Sequence, residues 1–223
     1  MDLYVVIVAG GSGKRMGMET PKQFLELAGK PVLMHTIERF HKFNESIEII
    51  TVLPENQLRH WCDLQKNYEF NIPHTLVKGG AHRFISVKNG LEFVSNRGLV
   101  AIHDGVRPLV KTETIKRCFD EAEKHGNAIP VISPADSLRC LDDHRNEPVN
   151  RLRVKQVQTP QVFDAAVVKK AYSQPYEESF TDDATVVEKS GVMIHLVEGN
   201  RENIKITNPE DLFIAQTLLP FIS

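Results

Sequence analysis

The sequence predicts an α/β fold: a mostly parallel, twisted sheet with helices on both faces, from which one β-arm protrudes. Three observations predict it. The chain opens on Leu3-Tyr4-Val5-Val6-Ile7-Val8, an apolar, largely β-branched run without polar alternation, which is how a strand covered on both faces reads. Strand-like and helix-like segments then take turns, the order that crossover helices impose on a parallel sheet. Between residues 133 and 158 this alternation stops, and short, interrupted pieces replace it.

Glycines follow the first strand at once. Pro31 then opens a helical stretch in which Leu33, Ile37 and Phe40 recur at helical spacing, and residues 47–53 form the second apolar strand. The pattern continues with a helix over about 55–66, a short strand over 75–77, a helix over about 82–93 and a strand over 99–103. A helix over 112–124 and a strand over 128–132 complete the run. In 133–158, Pro134, Asp142-Asp143, Asn146 and Pro148 punctuate alternating pieces at 137–141 and 152–157. This reads as an extended hairpin or arm. Such an arm cannot bury both faces against its own domain, so docking on a second subunit and a free surface hairpin are both compatible with it. Helices over 164–172 and 182–190 and a strand over 193–197 follow. Asn208 caps the last helix, Pro209 is its first residue, and Glu210 and Asp211 sit at its positive end. No repeat or linker is visible, and a single domain over 1–223 with one arm at 133–158 is the simplest arrangement.

The composition narrows the function classes. Over 223 residues, 41% hydrophobic and 25% charged content describes an ordinary globular protein. Its 27 basic and 29 acidic residues give a net charge of -2, which excludes a protein that coats nucleic acid by bulk charge; any polyanion must be met locally. No apolar stretch approaches the length of a membrane helix and no signal peptide is visible, so the expected location is the cytoplasm, with no membrane partner. Cys62, Cys118 and Cys140 show no CxxC spacing, and all three are expected to be small buried or half-buried hydrophobes.

The segment Ala9-Gly10-Gly11-Ser12-Gly13-Lys14-Arg15-Met16-Gly17 lies at the carboxyl end of the first strand, where ligands of open α/β folds bind. Glycines there let backbone N–H groups approach phosphate oxygens. A Walker loop would need glycine at Val8 and Ser or Thr at Arg15. The dinucleotide fingerprint would need a small residue at Met16 and an immediate helix, which Thr20-Pro21 interrupts. A plain connection would not need Lys14, Arg15 and Lys22 around the same glycines, so the loop is read as a phosphate binder.

That loop, with Pro21-Lys22-Gln23-Phe24, resembles the signature of nucleotidyltransferases that activate sugar and polyol phosphates. It is most similar to the cytidylyltransferases acting on 2-C-methyl-D-erythritol 4-phosphate in the non-mevalonate isoprenoid pathway. The resemblance extends, in order, through His103-Asp104-Gly105-Val106-Arg107-Pro108, Thr159-Pro160-Gln161-Val162-Phe163, Phe180-Thr181-Asp182-Asp183-Ala184 and Asn203-Ile204-Lys205-Ile206-Thr207. Gly105-Val106 departs from the pairs of alanines or Ala-Val frequent in that family, without removing a functional group.

The resemblance implies a Mg²⁺-dependent transferase that moves CMP from CTP to a polyol phosphate by in-line attack on the α-phosphorus. Arg15 and Lys22 would be catalytic, a bidentate fork and a compact charge for oxygens that gain charge. CTP would be held by Ala9, Gly10, Gly11, Ser12, Gly13, Lys14, Gly80, Arg83, Ser86 and Asp104. Arg83 and Ser86 share a helix face. Asp104, at the end of the strand over 99–103, suits a hydrated Mg²⁺ or a ribose hydroxyl, and equally a turn aspartate capping its own backbone; the resemblance favours the metal. His103 reads as a packed strand-end residue, and Arg107, held extended by Pro108, as a brace for Asp104. The acceptor would be met by Asp136, Ser137, Arg151, Thr181 and Lys205. Arg151 would serve the active site of a neighbouring subunit, making the chain a homodimer through its arm. Lys205 alternates with Ile204 and Ile206 and so points away from the core. A cytidylyltransferase for ribitol 5-phosphate and a non-catalytic nucleotide-binding protein are the competing expectations.

Overall fold

The computed structural model describes residues 1–10, 20–142 and 145–222. Strand β1 (Leu3–Val8) lies between β4 (Glu48–Leu53) and β6 (Leu99–Asp104), parallel to both, and β5 (Thr75–Lys78) extends the sheet parallel to β4. On the other side, β11 (Gln161–Asp164) runs antiparallel between β6 and β7 (Asn127–Ile132), and β10 (Gln156–Val157) and β12 (Leu196–Glu198) pair with β7. These strands form the eight-stranded sheet.

The period of two in a strand explains why β1 carries no polar residue. Tyr4, Val6 and Val8 enter an apolar cluster with Phe84, Val87 and Leu91 of α3 (Arg83–Leu91), Val168 of α5 (Ala165–Ala171) and Val186 of α6 (Asp183–Lys189). Val5, Ile7 and Ala9 enter the opposite cluster with Leu33, Ile37 and Phe40 of α1 (Val32–Phe43), Trp61 of α2 (Glu55–Asn67) and Ile115 and Phe119 of α4 (Thr112–His125). Both faces are therefore removed from water, and burial at about 25 cal/mol per Å² of apolar surface holds the layers together. A third, smaller cluster joins Leu27, Val32, Val106, Leu109, Ile206 and Ala215 of α7 (Pro209–Leu218). It seats the turn after β6 and the segment carrying Lys205. The start of α7 is fixed as expected: Pro209 is its first residue, and the Asp211 carboxylate accepts the N–H groups of Thr207 and Asn208 at 2.7 and 2.8 Å.

The structure corrects the sequence reading in five places. The arm is a hairpin of β8 (Leu138–Asp142), within one residue of the expected 137–141, and β9 (Arg145–Val149), which takes the place expected for 152–157. Pro148, taken for a break, sits opposite Arg139 in that two-stranded ladder, where both strands are edges and a missing N–H is tolerated. Residues 152–157 instead contain a 3-10 turn (Arg151–Arg153) and β10 of the main sheet. The last strand spans Leu196–Glu198 and not 193–197, and β11 was read only as a motif ahead of a helix. A small hairpin of β2 (Glu26–Leu27) and β3 (Lys30–Pro31) precedes α1. Finally, Cys118 is buried and Cys62 half-buried, but Cys140 is exposed on β8.

Candidate active site

Strands β1, β4 and β6 end at one edge of the sheet, pinned together by backbone bonds: Ala9 N–H to Val52 O, Gly105 N–H to Val8 O and Gly79 N–H to Leu53 O, at 2.8 to 2.9 Å. The close approach requires Gly105, where a Cβ would lie 2.7 Å from that of Ala9. The chain crosses from β1 to opposite sides of the sheet, the switch point at which α/β folds open a crevice. A cavity of about 280 Å³ lies there, walled by Ala9, Gly10, Lys22, Gly80, Arg83, Ser86, Asp104 and Lys205. A second of about 310 Å³ opens beside it, reaching Arg107, Gln158, Thr159 and Thr181. Arg83, Asp104 and Lys205 line both.

Asp104 is the point at which the two cavities meet. Its carboxylate lies 3.0 Å from Lys205 Nζ, 3.1 Å from Arg107 Nε and 3.7 Å from Arg83 Nε. Burial alone would favour the neutral acid, but Arg83, Lys205 and Arg107 outweigh it and hold the carboxyl well below the usual carboxylate range. The site therefore presents a permanent anion ringed by cations.

Behind Asp104, a buried chain of hydrogen bonds fixes the strand end. The Asp104 N–H donates to Thr159 Oγ1 at 3.1 Å, and Thr159 Oγ1 lies 2.9 Å from His103 Nδ1. His103 Nε2 lies 3.1 Å from the Arg107 carbonyl. A carbonyl only accepts, so Nε2 carries the proton and Nδ1 accepts from the Thr159 hydroxyl. Burial pushes the His103 pKa down, from 6.5 to about 3, so the ring stays neutral. The unfolded chain takes up a proton below pH 6.5 that the native ring refuses. Stability from this group is thus complete above that pH and lost as pH falls toward 3, at about 1.4 kcal/mol per pH unit. Burial also lowers the pKa of His35 and His74, which adds in the same sense. Urea unfolding at pH 7 and pH 5 is expected to show a stability lower by about 2 kcal/mol or more at pH 5; equal midpoints would contradict the neutral, buried state of His103.

Two similarities decide what this arrangement belongs to. The family model described as IspD, 2-C-methyl-D-erythritol 4-phosphate cytidylyltransferase, matches residues 3–220. A protein of that name from Bacteroides thetaiotaomicron is 53% identical over 219 residues, covering 98% of this chain and 100% of the relative. One from Bacteroides fragilis is 55% identical over 214 residues, covering 96% and 98%. The chain belongs to the 2-C-methyl-D-erythritol 4-phosphate cytidylyltransferase family. Its fold agrees with solved structures of the family: that of the Thermus thermophilus cytidylyltransferase superposes with a TM-score of 0.81 at 30% identity, covering 99% of this chain and 100% of that one. The 4-diphosphocytidyl-2C-methyl-D-erythritol synthase from Anaerococcus prevotii gives 0.83 at 28% identity, covering 98% and 96%.

In this cytidylyltransferase-family fold, Ala9, Gly10, Lys22, Gly80, Arg83, Ser86, Asp104 and Lys205 come together in the first cavity, and Thr181 lies in the second. Gly11, Ser12, Gly13, Lys14 and Arg15 lie outside the described residues. The Ser86 hydroxyl is engaged locally, accepting from Gly80 N–H at 3.0 Å and donating to His82 O at 3.1 Å; it shapes the glycine turn. Asp136, Ser137 and Arg151 line neither cavity. All three are exposed, and Arg151 donates to Ala135 O at 3.1 Å. Sequence reasoning missed Asp183, Tyr172 and Asn203. Asp183 is buried and takes both arms of Arg83 at 2.6 and 2.7 Å. Asn203 Nδ2 donates to Thr159 O at 2.8 Å, and the Asn203 carbonyl accepts from Arg107 at 2.7 Å. Asp183 and Asn203 stood in motifs already singled out; only their buried pairing was hidden.

Proposed function

We infer that this chain transfers CMP from CTP to 2-C-methyl-D-erythritol 4-phosphate, giving 4-diphosphocytidyl-2-C-methyl-D-erythritol and pyrophosphate. The observation that carries the reading is the meeting of two cavities at Asp104, Arg83 and Lys205, so that a donor in one and an acceptor in the other face each other across a single charged wall. Family membership over nearly the whole chain names the two substrates. A ribitol 5-phosphate acceptor and a silent binding protein are not favoured by relatives that share half of the sequence and the cytidylyltransferase name.

The reaction forms a bond from an acceptor phosphate oxygen to the α-phosphorus of CTP and breaks the bond from that phosphorus to the leaving pyrophosphate. Negative charge gathers on the non-bridging and leaving oxygens, so the work is positioning and cation placement. Ala9, Gly10 and Gly80 line the first cavity, and their backbone would meet the nucleoside. Lys22, buried and in the cavity wall, supplies charge to the α-phosphate, together with Arg15. Lys205 holds the acceptor phosphate and Thr181 a polyol hydroxyl.

Mg²⁺ completes the reading. Among the described residues, no three His, Cys, Asp or Glu side chains gather as a metal site, and Asp104 is the carboxylate in the wall that the two cavities share. That donor suits Mg²⁺, which takes one or two protein carboxylates and fills its shell with water and substrate phosphates. Bound there with CTP, it would neutralise phosphate charge. Lys205, now 3.0 Å from Asp104, would turn its charge to the acceptor.

The same reading treats residues 1–223 as one domain whose arm, 133–158, pairs two chains. Leu141 and Leu152 are 79% and 85% exposed on or beside the hairpin, and a two-stranded hairpin gains little stability alone. In the dimer, Asp136, Ser137 and Arg151 serve the partner's acceptor cavity. The free thiols suit a reducing, cytoplasmic setting. Arg151→Ala is then expected to raise KM for the polyol phosphate about tenfold or more, as for a lost hydrogen bond to a charged group, with CTP affinity unchanged. An equal loss of CTP affinity would misplace Arg151. The function itself is tested by measuring pyrophosphate release with CTP and each polyol phosphate in turn; turnover with ribitol 5-phosphate alone would overturn it.

A further inference from the structure

Arg83 lines both cavities, yet two of its guanidinium nitrogens are tied to a carboxylate that lines neither. Two of its nitrogens bond both oxygens of Asp183 at 2.6 and 2.7 Å, while its Nε faces Asp104 Oδ1 at 3.7 Å. The Asp183 side chain is fully buried and that of Arg83 31% exposed. Asp183 Oδ1 also accepts the Tyr172 hydroxyl at 2.6 Å. The Tyr172 ring is itself fixed, 2% exposed and stacked on Phe84 at 4.7 Å between centroids. Burial and then the Asp183 charge push the Tyr172 pKa well up, so its hydroxyl remains a donor. For Arg83, burial would lower the pKa, and Asp183 more than restores it.

The geometry points to Asp183 and Tyr172 as positioning residues for the nucleotide: through a bidentate clamp they hold Arg83 in the cavity wall and keep it from closing onto Asp104. A guanidinium presents a rigid, planar fork, so fixing two nitrogens on one carboxylate fixes the plane of the third. Tyr172, locked by packing, fixes that carboxylate in turn. Without the clamp, Asp104, now 3.7 Å away, is the anion within reach of Arg83 among the described residues, and pairing there would withdraw both groups from the nucleotide. A buried carboxylate whose side-chain donors among the described residues are one guanidinium and one hydroxyl is costly to retain for stability alone; its value here is the direction that it gives to Arg83.

This inference rests on the CTP reading, and calorimetric titration of the full chain with CTP separates the two. No CTP binding by the wild type defeats the reading itself. With wild-type binding established, Tyr172→Phe, which keeps the packed ring, is expected to raise the CTP dissociation constant about threefold to tenfold, the range for one hydrogen bond, and Asp183→Asn to raise it further. KM for the polyol phosphate should move less than twofold in Tyr172→Phe, a split that general loosening would not give. In the Arg83→Lys background, which keeps a cation beside Asp183 but loses the fork, Tyr172→Phe should add almost nothing, since its effect runs through the guanidinium plane. CTP affinity within twofold of wild type in both single variants, equal rises for both substrates, or additive losses in the double variant would overturn the inference. Thermal unfolding of Tyr172→Phe confirms that the comparison is made on folded protein.

Discussion

Asp104→Ala is expected to lower kcat/KM by about 10³-fold or more. The carboxylate sits in the wall that both cavities share and is the one described group there that suits a divalent cation. Removing it takes away the proposed cation site and also leaves Arg83, Arg107 and Lys205 without their common anion. One lost contribution to transition-state charge stabilisation accounts for about 10²–10³-fold, and misplacement of the three cations adds to it. The same change costs stability, on the order of 3 kcal/mol, as for a half-buried ion set that loses one sign. Turnover is therefore measured below the variant's own unfolding transition. CTP binding without divalent metal should persist, because Lys22 and Arg83, the latter still held by Asp183, remain in the wall of the first cavity. Activity within tenfold of wild type would remove Asp104 from the mechanism.

Lys22→Ala is expected to lower kcat by about 10²–10³-fold with KM for both substrates within a few-fold, the pattern of an interaction made mainly in the transition state. Lys22 is 8% exposed, unusual for a lysine, and its neighbour is anchored: Gln23 Nε2 donates to Ala9 O at 2.8 Å and to Gln57 Oε1 at 2.6 Å. The ammonium is thus carried on a short 3-10 turn (Lys22–Phe24) that is bonded to the end of β1, with little freedom to leave the cavity. Steady-state kinetics with CTP and the polyol phosphate varied separately checks this; an unchanged kcat with a raised KM would make Lys22 a ground-state contact.

The parts of the fold legible in sequence are those whose pattern is local. β1 showed itself because both of its faces are buried, so no polar residue interrupts it, and α7 because Pro209, Glu210 and Asp211 mark its first turn. β11 was missed because four residues, Gln161–Asp164, are too few to show a period, and because its place between β6 and β7 is set by partners far away in the chain. The arm was misplaced because Pro148 signals a break in a central strand but not in a hairpin with two edges. In the site, Asp104 and Lys205 were visible through strand position and alternation, and Lys22 through its motif. Asp183 was not, since an acidic pair at a helix start reads as a cap, and Asp182 is that cap. What sets Asp183 apart is burial against Arg83, a hundred residues distant, which no local pattern records.

The most direct measurement of the central claim uses 2-C-methyl-D-erythritol 4-phosphate with ¹⁸O in its non-bridging phosphate oxygens, CTP, Mg²⁺ and this protein, followed by ³¹P NMR. In-line attack by the acceptor phosphate on the α-phosphorus predicts 4-diphosphocytidyl-2-C-methyl-D-erythritol that retains all of the label, with one ¹⁸O bridging the two phosphorus atoms, and pyrophosphate with none. Label in the pyrophosphate, label lost to water, or no diphosphate product from this acceptor would contradict the account.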